Sequence, residues 1–186
     1  MIIYTTKEMI NEFGVNETNS KIHRFKCKPE KIIENELKYR IVKSDQDRNT
    51  TTHFILDEKN NYKSLAFFTL KFDRIEKSLL GDTILENDSD DKFNSTYYIV
   101  FLARDDTVAG ANKDNLRGKD ILDAAIEQID DVRNKVGGVN IVLIDAYTSK
   151  EKVCKIYEEY GFTKIPAIGD KVNPMTHFFM KLSRGE

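Results

Sequence analysis

The chain has no tryptophan, only three prolines, two cysteines and three histidines, and nowhere does it hold an apolar run near 18 residues. Each shortage removes a class of protein. Without such a run there is no membrane-spanning helix to read, and the opening Met-Ile-Ile-Tyr passes straight into charged residues, leaving no apolar segment for a signal peptide. Cys27 and Cys154 lie far apart and form no CxxC, which reads as two free thiols in a reducing cytosol rather than a disulfide framework. His23, His53 and His177 are scattered without ligand spacing, so no metal is expected. An excess of either charge is also missing: 29 Lys and Arg against 31 Asp and Glu leave a net charge of −2. That gives no general reason to expect nucleic acid or a membrane surface as partner. These absences read as a cytoplasmic chain, and 186 residues as one domain, 1–186, able to bury about two-thirds of its unfolded surface.

What is present is an alternation of strand and helix signals. Thr6 to Phe13 reads as a short helix within an N-terminal extension (1–19), and Ser20 to Cys27, alternating through Ile22 and Phe25, as a strand. Pro29 suits the first position of a helix from Glu30 to about Lys43, with Ile33, Leu37 and Ile41 on one face. Thr50 to Leu56 and Tyr62 to Phe72, separated by the turn Asp57 to Asn61, form an antiparallel hairpin. Residues 77–94 carry Asp82, Glu86, Asp88, Asp90 and Asp91 with little periodicity and read as an acidic surface insertion. Thr96 to Ala103 is nearly continuous apolar, the mark of a central strand covered on both faces. After a polar loop, Arg104 to Asn115, comes a long helix whose Ile121, Leu122, Ala125, Ile126, Ile129, Val132 and Val136 make one stripe, closed by Gly137-Gly138. Val139 to Ala146 is a second buried strand, so strand, helix and strand form a crossover with two parallel neighbours. Thr148-Ser149-Lys150-Glu151 fits a capping box ahead of a helix that presents Val153, Ile156, Tyr157 and Tyr160 and ends at Gly161. Phe162 to Ile165 and Met175 to Leu182 are the last strands.

The mouth of the long helix, Leu116-Arg117-Gly118-Lys119-Asp120, invites an anion, because first-turn amides lack internal partners and carry the positive end of the dipole. Gly118-Lys119 is not a P-loop: that motif needs glycine at 113 and Ser or Thr at 120, where Lys113 and Asp120 stand. By itself the mouth reads first as an ordinary amphipathic helix capped by Asp114 or Asn115. Tyr157, flanked by Ile156 and Tyr160, could by itself be a core residue.

Three local patterns then resemble the GNAT superfamily of acetyl-CoA-dependent N-acyltransferases, over nearly the whole chain. Ile156-Tyr157-Glu158-Glu159-Tyr160-Gly161-Phe162 is similar to that family's Phe-Tyr-Glu-x-x-Gly-Phe helix ending. Phe101-Leu102-Ala103-Arg104 stands in the place of its Leu-Ala-Val segment. At the helix mouth the family pattern of Gln or Arg, two residues, Gly, one residue, then Gly or Ala falls on Lys113, Leu116 and Gly118, so only the final glycine is kept. Upstream, Ala66-Phe67-Phe68-Thr69-Leu70 resembles the family's Gly-Tyr-Phe-Thr-Leu strand. The loop from Ala103 to Gly118 is longer than in the family, and no clear Asn precedes the last helix.

The resemblance implies a GNAT-like α/β fold: a mixed, mostly antiparallel sheet with a central parallel strand pair, flanked by helices. It implies acetyl-CoA as co-substrate, with Leu102, Ala103 and Arg104 along the pantetheine arm. Lys113, Leu116, Arg117, Gly118, Lys119 and Asp120 would lie around the pyrophosphate, and Tyr157 next to the departing sulfur. The implied reaction is acetyl transfer to a small-molecule, peptide or protein amine in a ternary complex, with a homodimer possible. A toxin-like member acting on aminoacyl-tRNA is the alternative, disfavoured by the near-neutral charge; a non-catalytic binding module is the third reading. The base is open among Asp105, Asp106, Asp145, His53 and a water.

Overall fold

The computed structural model describes residues 1–47, 49–80, 92–107, 116–136 (Val136 by its backbone alone), 139–166 and 174–183. Seven strands, β1 (Ile2–Thr5), β2 (Thr51–Asp57), β3 (Lys63–Glu76), β4 (Phe93–Arg104), β5 (Ile141–Tyr147), β6 (Thr163–Lys164) and β7 (Met175–Lys181), form one sheet in the order β1-β2-β3-β4-β5-β7-β6. β4 and β5 are parallel, whereas β1 with β2, β2 with β3, β5 with β7 and β6 with β7 are antiparallel. The helices are α1 (Thr6–Arg24), α2 (Lys31–Glu36), α3 (Val42–Gln46), α4 (Gly118–Val136) and α5 (Glu151–Tyr160). This is the mixed, mostly antiparallel sheet with a parallel pair expected from the sequence. The chain gathers into two compact units, Met1–Lys71 with Val100–Glu127 and Phe72–Ile99 with Gln128–Glu186.

In the first unit the N-terminal stretch departs from expectation. Ser20 to Cys27 is not a strand, because α1 runs on to Arg24. Its start is fixed by a capping box in which Thr5 Oγ1 accepts from Glu8 N (3.2 Å) and the Glu8 carboxylate accepts from Thr5 N (2.7 Å). Two orphan donors are thereby satisfied at once. The helix turns at Gly14, whose φ of 78° and ψ of 163° suit a residue without Cβ. The strand that borders β2 is instead β1, hidden in the opening Met-Ile-Ile-Tyr and registered Ile2 against Leu56 to Thr5 against His53. Met9, Ile22, Phe25, Leu37, Ile41, Phe54, Leu56 and Phe67 close this unit's core. The hairpin is as expected, with β3 running four residues longer and the turn using left-handed Asn61 and Tyr62.

The helix expected from Glu30 to Lys43 forms as α2 and α3 joined by a π-helical stretch, Leu37–Ile41. Inside it Glu34 is buried and accepts from Lys38 Nζ (2.6 Å), Lys31 Nζ (3.1 Å) and Cys27 N (2.9 Å). The Lys38 hydrogen bond and the Cys27 amide hold its carboxyl down to about 2. Removing one partner of a buried pair strands the other, at a cost of about 3 kcal/mol, so Glu34→Gln lowers the melting temperature at pH 7. Because the folded pKa is depressed, this stabilisation is whole above the ordinary carboxyl range and is lost as pH falls from there toward 2. Paired melting curves at pH 7 and pH 3 therefore show the gap between wild type and Glu34→Gln narrowing on acidification.

In the second unit, Ile75, Leu80, Ile141, Ile165 and Phe179 form a cluster. The expected capping box at Thr148 to Glu151 does not form: α5 begins at Glu151 with Lys150 as an N-cap that makes no side-chain cap bond. Thr148 Oγ1 is instead bonded to Thr176 Oγ1 across to β7 (3.1 Å), a tertiary partner that wins over the local one. α5 ends at Gly161 in the left-handed region (φ 114°), as expected. Val132, placed on the apolar stripe of α4, is 42% exposed. Of the acidic insertion, residues 81–91 lie outside the described residues, as does the Gly137-Gly138 helix stop.

Candidate active site

The parallel register runs from Tyr97 against Val142 to Ile99 against Ile144, and among the described residues it goes no further, although β4 continues to Arg104 and β5 to Tyr147. Asp145 is the first residue of β5 past that ladder. Side chains alternate across a strand, so Tyr98, Leu143, Asp145 and His177 point to one face, and Tyr97, Ile99, Val142, Ile144 and Phe178 to the other. The second set is buried, whereas Tyr98, Leu143 and Asp145 are half-buried and His177 is exposed. The expectation that these strands are covered on both faces is therefore wrong for this stretch: a nearly continuous apolar sequence conceals one half-open, polar face.

Two groups of side chains stand here. On the buried face, Tyr157 of α5 is 7% exposed and packs edge-on against Phe178 (5.7 Å between centroids, 84°) and tilted against Phe162 (6.0 Å). Burial, then the nearby Cys154 and Asp145, push its phenol well above the usual range, so it holds its proton at any physiological pH. Cys154 is half-buried, with its Sγ 3.9 Å from the Tyr147 carbonyl. On the half-open face, Tyr98 Oη donates to Asp145 Oδ2 (2.6 Å), and Asp145 Oδ1 is bonded to His177 Nδ1 (2.7 Å). Burial and the Asp145 hydrogen bond raise the Tyr98 phenol strongly. Tyr98 and His177 were not legible as site residues, since 47 and 32 positions separate them from Asp145.

The first unit holds the helix mouth. Leu116 is buried, its carbonyl accepting from Arg104 Nη1 (3.1 Å). Asp120, at the third position of α4, accepts from Arg117 N (2.5 Å) and pairs with the Arg117 guanidinium (3.4 Å). The Arg117 amide, followed by that guanidinium, holds the Asp120 carboxyl below the usual range. Arg117 N–H is thus satisfied within the chain, while Gly118 and Lys119 present first-turn amides that have no carbonyl one turn back inside the helix. A Cβ built on Gly118 meets nothing within 4 Å, so the space beside that backbone is open. Leu102 is half-buried and Ala103 buried on β4. Lys113 lies outside the described residues.

The same unit narrows the choice of base. Asp105 is buried, with Oδ1 accepting from Thr107 N (2.8 Å), and Asp106 Oδ2 accepts from Lys28 N (2.6 Å), so both brace the strand end. His53 is buried and stacked on Phe68 (4.9 Å, 9°), and burial lowers its pKa. That is an uncharged core imidazole. Among the described residues no three His, Cys, Asp or Glu side chains are grouped to hold a metal ion, and no helix is long and apolar enough to cross a membrane.

No family model matches the chain, and no curated protein sequence does. Solved structures share its fold at low identity. AtaT, solved in complex with acetyl-methionyl-tRNAfMet, superposes with a TM-score of 0.70 at 17% identity over 97% of this chain and 94% of that one. A Tyr-to-Phe variant of KacT gives 0.68 at 15% over 97% and 95%. A Tyr-to-Phe variant of the AtaT toxin, bound to acetyl-CoA and the C-terminus of the antitoxin AtaR, gives 0.61 at 18% over 86% and 84%. AtaT and KacT have the GNAT fold expected from the sequence, and this chain shares it.

Proposed function

We propose that the chain is an N-acetyltransferase that moves acetyl from acetyl-CoA to a primary amine, and that the amine is the α-amino group of an aminoacyl-tRNA. The parallel ladder that stops at Ile99 and Ile144, followed by Tyr157 on the next helix, carries the reading. Strand backbone at Leu102, Ala103 and Arg104 lines the pantetheine arm. Gly118 and Lys119 amides, with the Arg117 guanidinium, hold the pyrophosphate, which suits the dipole and the open space beside Gly118. Asp120 caps the helix and fixes Arg117. Tyr157 donates to the sulfur as the C–S bond breaks, a role open to a phenol that never ionises in the working range.

The acceptor rests on two supports. AtaT is solved with acetyl-methionyl-tRNAfMet over nearly the full length of both chains. The net charge of −2, which argues against nucleic acid, is also unevenly spread. Residues 21–43 hold eight Lys and Arg against three Glu, a local +5 by subtraction, so the other residues together carry −7. Of these, Arg24, Lys26, Lys28, Lys31, Arg40 and Lys43 are exposed. Clustered exposed cations are what phosphate contacts need. The test is transfer from acetyl-labelled coenzyme A to charged tRNA, uncharged tRNA and free lysine. Label is expected on charged tRNA alone, released with the amino acid when the ester is hydrolysed; label on lysine alone refutes the acceptor. Within the same assay, Arg40→Glu with Lys43→Glu lowers transfer at least tenfold and flattens its salt dependence.

A further inference from the structure

We infer that Asp145, seated between Tyr98 and His177 at the end of the parallel ladder, is the seat and proton acceptor of the incoming amine, held in position by both neighbours. The inference deepens the acetyltransferase reading and rests on it. Three observations carry it. Asp145 is the first residue of β5 beyond the last β4 partner, where neighbouring backbone is no longer engaged in that ladder. Its side chain stands on the half-open face, opposite the one on which Tyr157 packs against Phe178, so donor and acceptor of protons approach the reacting bond from two sides. Its two oxygens are each held by one neighbour, Tyr98 Oη at 2.6 Å and His177 Nδ1 at 2.7 Å. Each oxygen of a carboxylate can accept a further hydrogen bond, and the two clamps fix the direction in which it does so.

The proton then has a way out. The side chain of Asp145 is 17% exposed, so the carboxyl group itself reaches water, while the His177 imidazole bonded to Oδ1 fixes its direction. Among the described residues, the other ionisable groups around the pair are Asp73 on β3 and Tyr157, both of which bear on Tyr98, Cys154 on α5, and Lys164 on β6, paired with Phe178 next to His177. Tyr98, held protonated by burial and by Asp145, acts as a fixed donor and a positioning residue rather than a base. In the step itself the amine lone pair forms the C–N bond at the thioester carbonyl and the C–S bond breaks with its electrons on sulfur. Tyr157 gives sulfur its proton, nitrogen gives one to Asp145 and thence to water, and Tyr157 is reprotonated from solvent. One proton leaves nitrogen and one reaches sulfur, so the amide and the free thiol balance.

A carboxylate that takes the amine's proton makes a prediction that a merely structural residue does not. His177→Ala, which removes the clamp on Oδ1, lowers kcat/KM for the amine at least tenfold, and His177→Asn, which keeps an N–H donor, restores most of it. Asp145→Asn lowers kcat/KM for the amine at least a hundredfold while the Kd of acetyl-CoA stays within twofold. His177→Ala, at an exposed position, keeps the test alive if Asp145→Asn does not fold. Wild-type rates in Asp145→Asn and His177→Ala, on an enzyme that does acetylate amines, overturn the inference and leave the acetyltransferase reading standing. A folded wild type that acetylates no primary amine at all overturns both, and that is read before any variant is compared.

Discussion

Tyr157→Phe is expected to reduce kcat by roughly 10²- to 10⁴-fold, the range for loss of one positioned general acid, with the Kd of acetyl-CoA unchanged. The ring's edge-on contact with Phe178 and its tilted contact with Phe162 involve no hydroxyl, so phenylalanine keeps the packing. Only the proton is lost. Burial, with Cys154 and Asp145 nearby, holds that proton on oxygen through the working pH range, so the defect is the same size at pH 6 and pH 9. A defect that shrinks at low pH would mean that solvent supplies the proton, and Tyr157 would then be a packing residue. Stopped-flow detection of released thiol, paired with calorimetry, separates the two cases.

Gly118→Asp is expected to weaken acetyl-CoA by more than a hundredfold without destabilising the fold. A side chain at this position meets nothing within 4 Å, and a carboxylate in the first turn of a helix favours the helix through the dipole. The melting temperature therefore holds or rises. Affinity falls because like charges a few ångströms apart oppose each other by about 1–4 kcal/mol per pair near a protein surface, and a pyrophosphate brings more than one. Gly118→Ala, which adds volume without charge, stays within a few fold of wild type. Equal losses in the two variants would make the effect steric and move the anion elsewhere; no loss in either would empty the proposed seat.

What could be read from the residues was whatever their local order determines. The hairpin of β2 and β3, the crossover from β4 through α4 to β5 and the glycine stop of α5 each follow from periodicity and turn chemistry in consecutive segments, and each is present. The misreadings have physical causes. Ile22 and Phe25 were assigned to alternation, but they lie three apart, and α1 continues between them until Phe25 N closes on Ile22 O (3.2 Å). β1 is four residues long and is held by tertiary partners, pairing with β2 and packing Ile2 and Tyr4 against the core. Thr148 was assigned to a local cap and is taken by Thr176 from 28 positions away. The half-open face was hidden for a related reason: an apolar strand sequence does not reveal where its neighbour's register ends, and Asp145 gains its setting only from Tyr98 on one strand and His177 on another. The basic segment was masked by averaging, since a balanced total conceals a +5 stretch.

Titration of the purified chain with acetyl-CoA in a calorimeter tests the central claim most directly. One site per chain is expected, with an affinity that falls as ionic strength rises, because amides and a guanidinium at the mouth of α4 meet a polyanion. A folded protein that gives no binding heat and no shift in melting temperature at millimolar acetyl-CoA would contradict it.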